Sequence, residues 1–60
     1  MKNYWFVEYE TGEEFFVQAD SKEKAFEIAK NLDWEDIKPD LRCYGVLDDE
    51  EAERLGLDTY

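Results

Sequence analysis

The run Asp48-Asp49-Glu50-Glu51 is the densest group of side chains in this chain that could do chemistry. Neighbouring carboxylates serve two kinds of site, general acid–base pairs and oxygen cages for calcium or magnesium. The first kind needs a carboxyl whose pKa is raised by burial in a cleft, and a sixty-residue chain has little room for one. Seventeen acids in sixty residues also make close pairs common by chance. The second kind needs spaced loop ligands, a mid-loop glycine and a closing bidentate glutamate, and the run has none of these. A helix start explains it more simply, because carboxylates suit the positive end of the helix dipole. Cys43 is the single thiol and histidine is absent, so neither a Cys/His zinc site nor an imidazole triad can form. At a strand position Cys43 reads as a small buried hydrophobe, with Arg42 pointing to the opposite face. No catalytic residue, metal or cofactor is expected.

The aromatic residues Tyr4, Trp5, Phe6, Tyr9 and Phe16 could stack the bases of a single strand, but such platforms are paired with basic residues that hold phosphates. Here the same segments carry Glu8, Glu10, Glu13 and Glu14. Core packing is the first explanation of these rings, and a protein interface the second.

The net charge of −10 argues against direct binding to nucleic acid or to an anionic membrane. It suits a basic protein partner. Residues 31–60 hold ten acids against three bases, so the charge is concentrated there. With no membrane-length apolar run and no signal-like opening, a reduced, cytoplasmic setting is expected.

The elements that must position these groups form a single domain over residues 1–60. Asn3 to Tyr9 and Glu13 to Ala19 are rich in aromatic and β-branched residues, and read as a hairpin. A three-residue loop, Glu10-Thr11-Gly12, avoids placing β-branched Thr11 at positive φ. That register sets Val7 opposite Phe15, Trp5 opposite Val17 and Glu8 opposite Glu14. Tyr4, Phe6, Phe16 and Gln18 then share the second face. Asp20 and Glu23 read as a capping box, followed by a buried stripe of Ala25, Ile28, Ala29 and Leu32 with Phe26 on its flank. The linker, residues 33–40, contains Trp34 and Ile37, which are expected to plug the core edge. Leu41 to Leu47 reads as a third strand, with a bulge or a close backbone approach at Gly45. Asp48 caps a short second helix that ends at Gly56, and the tail to Tyr60 frays unless Tyr60 docks. The expected fold is α+β: a three-stranded antiparallel sheet of order 2-1-3 in ββαβ topology, with one covering helix and a short C-terminal helix. One helix covers one face. The second face falls to the C-terminal segment, a second copy or a partner.

The hairpin with Glu10-Thr11-Gly12, the helix entry Ala19-Asp20-Ser21-Lys22-Glu23-Lys24-Ala25 and the tail helix Asp48-Asp49-Glu50-Glu51-Ala52-Glu53 together resemble small acidic ββαβ proteins of bacteriophages and mobile elements. Some of that group look like anti-CRISPR or other anti-defence inhibitors. The resemblance implies a non-enzymatic inhibitor that occupies the basic groove of a nucleic-acid-handling protein. Carboxylates three or four apart on a helix lie roughly 5–6 Å from one another, and phosphates repeat at about 3.4 Å along a DNA strand. A row of acids can therefore imitate a phosphate track, although acids also keep a small aromatic-rich protein soluble. The residues expected at such a surface are Asp36, Asp40, Asp48, Asp49, Glu50, Glu51 and Glu53. The alternative is an adaptor module that self-associates or holds a protein through an aromatic sheet face formed by Tyr4, Phe6, Phe16 and Tyr44.

Overall fold

The computed structural model describes residues 1–35 and 38–60, so the expectations placed on Asp36 and Ile37 lie outside the described residues. Strands β1 (Lys2–Glu8) and β2 (Glu13–Ala19) pair antiparallel, with Trp5 opposite Phe16, Phe6 opposite Phe15 and Glu8 opposite Glu13. This corrects the expected register by one residue. The loop holds four residues, Tyr9-Glu10-Thr11-Gly12, closed by the Gly12 N–H donating to the Glu8 carbonyl at 2.8 Å with Gly12 at φ 76°. A one-residue slip exchanges the faces of one strand relative to the other. Tyr4 and Phe6 therefore share a face with Phe15, Val17 and Ala19, whereas Trp5 and Val7 share the other with Phe16 and Gln18.

Helix α1 (Lys22–Lys30) covers the first of these faces. Its N-cap is Ser21, whose hydroxyl accepts the Lys24 N–H at 3.2 Å, so the cap lies one residue beyond the expected Asp20. The shift leaves Glu23 at the second helical position, and Lys24 occupies the third position that a capping box needs for its acid. Ala25 and Ala29 are fully buried and let the helix approach the rings closely. Phe26 meets Phe6 edge-on at 4.8 Å. Ile28 is 37 % exposed, so Phe26 takes the place expected for it in the stripe. Burying each large apolar side chain in this layer contributes about 1.5–3 kcal/mol. Trp34 closes one end of the layer: its indole N–H donates to the Ala29 carbonyl at 2.8 Å and its ring packs on Phe15.

Strand β3 (Leu41–Leu47) pairs antiparallel with β1, and the ladder shifts so that Trp5 faces Gly45 and Phe6 faces Cys43. The bulge anticipated at Gly45 is present, with Tyr44 as the inserted residue. Helix α2 (Asp49–Leu55) follows, capped by Asp48 and closed by Gly56 at φ 66°. The chain then adds a strand that the sequence reading did not anticipate. β4 (Asp58–Thr59) runs parallel to β2, with the Tyr60 N–H donating to the Phe16 carbonyl and the Gln18 N–H to the Tyr60 carbonyl, both at 2.9 Å. The sheet is therefore four-stranded and mixed, of order β3-β1-β2-β4 in ββαβαβ topology, rather than three-stranded and antiparallel throughout. The tail is docked, with the Tyr60 ring edge-on to Phe15 at 5.6 Å.

Candidate protein-binding surface

α2 is short, and its apolar side consists of Ala52 and Leu55, so none of its residues is buried. One hydrogen bond, from Asn3 to Asp49, ties it to the second sheet face. Asn3 donates from Nδ2 to the Asp49 carboxylate at 2.7 Å and to the Leu47 carbonyl at 3.3 Å, while its Oδ1 accepts from Gln18 Nε2 at 3.1 Å. The Asp48 carboxylate accepts the Glu51 N–H at 2.8 Å. Leu55 lies beside Trp5 and Leu47. The C-terminal segment thus covers part of the second face, one of the three possibilities left by the sequence.

The structure brings five of the expected acids together. Asp48 and Asp49 anchor the helix start, and Glu50, Glu51 and Glu53 are exposed along the next turn. Arg54 is the one cation on α2, held to Glu50 at 3.5 Å by a solvent-exposed pair that screening leaves weak. Asp40 is elsewhere. The seven residues of β3, at roughly 3.3 Å each, separate it from Asp48. Its N–H donates to Glu8 at 2.6 Å, its carbonyl accepts from the Tyr9 N–H at 3.0 Å, and its carboxylate pairs with Arg42 at 3.2 Å. Asp40 is a strap between the linker and the hairpin end.

Of the aromatic set, Tyr4, Phe6 and Phe16 are buried within the chain, and they do not share a face. Tyr44 is 55 % exposed. Its hydroxyl lies 3.0 Å from that of Tyr9 and its ring meets Trp5 edge-on at 5.5 Å, while the Arg42 guanidinium sits over the Tyr9 ring at 5.1 Å. The hydrogen bond with Tyr9 pushes the Tyr44 hydroxyl above its ordinary pKa.

Two features escaped the sequence reading. A groove of about 370 Å³ between α2 and the sheet is lined by Asn3, Gln18, Asp49, Ala52, Glu53 and Leu57, and the Asn3–Gln18 pairing that floors it follows from the corrected register. The second is Glu8, a fully buried carboxylate whose Oε1 accepts the Thr11 N–H at 2.8 Å and the Thr11 hydroxyl at 3.2 Å. Burial pushes its pKa up. Hydrogen bonds from the backbone of Asp40, Thr11 and Glu10 and from the Thr11 hydroxyl outweigh that push and hold it below the ordinary 4.5. A proton donor in catalysis needs the opposite shift, so Glu8 is a structural carboxylate. Among the described residues no three acidic or cysteine side chains converge to hold a metal ion, and no helix is long and apolar enough to cross a membrane. Compared with protein-family models, curated proteins and solved structures, the chain finds no match.

Proposed function

We propose that this chain is a non-enzymatic binding protein of the phage-inhibitor kind, which places the acidic outer side of α2 in a basic, nucleic-acid-binding groove of a host protein. The observation that carries the reading is a helix with no buried residue that gathers Asp48, Asp49, Glu50, Glu51 and Glu53 within two turns. The chain from Gln18 through Asn3 to Asp49 ties the helix to the sheet, so the backbone that carries Glu50, Glu51 and Glu53 has little ordering left to do on binding. Complementary charge of this kind speeds encounter and weakens with added salt.

The test is retention from a bacterial lysate on the immobilised chain. The expected partner is a nucleic-acid-binding protein that is released by added duplex DNA and by raising salt from roughly 0.05 to 0.5 M. Retention that neither DNA nor salt reverses contradicts the reading. The adaptor alternative keeps Tyr44 from its original set, with Val46 and Leu55 as further exposed apolar side chains. It requires a partner whose retention is indifferent to salt.

A further inference from the structure

β3 forms one edge of the sheet: among the described residues it pairs with β1 on one side and with no strand on the other. An open edge offers unpaired N–H and C=O groups to another chain, and proteins usually blunt it with short length, proline or charged side chains. The opposite edge follows that rule, being the two-residue β4. β3 does not. It runs for seven residues, contains no acid and carries Arg42 as its one charge, in a chain where seventeen of sixty residues are acidic. A second acid-free run, residues 1–7, is explained by the central place of β1 in the sheet. No such explanation serves β3, whose exposed positions include Tyr44 and Val46, the latter 49 % exposed. Arg42 and the bulge are its blunting devices, one charge and one interruption along seven residues.

The charges at the two ends of β3 differ. Its C-terminal end runs directly into Asp48, Asp49, Glu50 and Glu51, whereas its N-terminal end carries Lys38, Asp40 and Arg42. A strand laid antiparallel along β3 starts beside the acidic end, so the residues preceding it meet those carboxylates. We propose that β3 accepts an extended segment of the partner protein as an added antiparallel strand, apolar at alternate positions and preceded by Lys or Arg. The inference rests on the acidic-surface reading above for the basic character of the partner, and adds the backbone pairing that fixes its orientation. A second copy of this chain fits less well, because each copy carries a charge of −10 and the residues before its own β3 include Asp40.

The probe is a synthetic peptide in which a run of lysines precedes alternating valine and threonine. Two relatives are N-methylated at alternate residues, one along each backbone edge, which removes the pairing donors and keeps every charge. Amide shifts of the intact chain on titration should centre on Leu41–Leu47. One methylated peptide should bind like the parent and the other at least about tenfold more weakly, as loss of several backbone hydrogen bonds requires. Val46→Lys, at a half-exposed position, should weaken the parent peptide in the same way. Equal binding by both methylated peptides, or shifts confined to α2, overturns strand addition while leaving the acidic-surface reading in place. Shifts on β3 that persist after Glu50→Lys and Glu53→Lys support strand addition and remove the acidic surface from it. A doubled solution mass that the peptide does not reverse assigns the edge to a second copy and overturns the proposal.

Discussion

Glu8 has no exposed surface, yet both its carboxylate oxygens are occupied, one by the hairpin loop at Thr11 and one by the linker at Asp40. Glu8→Gln leaves one oxygen to do this work and turns an amide donor towards a backbone donor, so the variant should unfold at lower urea than the parent. The difference depends on pH in a definite direction. The folded-state pKa of Glu8 lies below the ordinary 4.5, so the stability it contributes is fully present above that value and is lost as pH falls through the folded value. Urea midpoints of the two proteins should therefore differ most near neutrality and converge in acid; a gap that widens in acid contradicts the assignment. Helix entry gives a second residue-scale test. Ser21→Ala should cost about 1 kcal/mol, and Asp20→Ala much less, because the Ser21 hydroxyl makes the capping bond. The sequence offers both candidates side by side, and periodicity cannot choose between caps one residue apart. Glu8 was equally hard to read, because its partners include backbone N–H groups, which every residue but proline carries.

Elements with strong local signals were legible. α2 has its acid cap, its acidic first turn and Gly56 just past its end, and β3 has its bulge at Gly45. The hairpin was legible as a pair of strands but not in register, because Thr11 and Gly12 suit a three-residue loop as well as the four-residue loop that forms. That single residue exchanged the faces, and with them the grouping of Tyr4, Phe6 and Phe16. β4 carried no signal, since two residues have no periodicity. Its docking rests on two backbone hydrogen bonds and the Tyr60 ring on Phe15. Tyr60→Ala should therefore destabilise the chain by about 1 kcal/mol, the scale of an edge-on aromatic pair. An unchanged urea midpoint would mean that the tail does not dock in solution.

At the scale of the whole molecule, the concentration of acids in the second half of the chain was plain from the sequence, but their distribution was not. β3 carries the chain from one end of the sheet to the other, so Asp40 and the α2 acids part company. What remains together is a single acidic helix tied to the sheet by the Asn3–Asp49 hydrogen bond. Two surfaces meet at the C-terminal end of β3: the carboxylates of α2 and the open strand edge. The decisive measurement is the affinity of the lysate-retained partner across a salt series, for the parent chain and for the Glu50→Lys/Glu51→Lys/Glu53→Lys variant. The parent should lose affinity steadily with added salt, and the variant should bind at least about a hundredfold more weakly at low salt. Equal affinities for the two proteins, or an affinity that salt leaves untouched, contradicts a function exerted through the acidic helix.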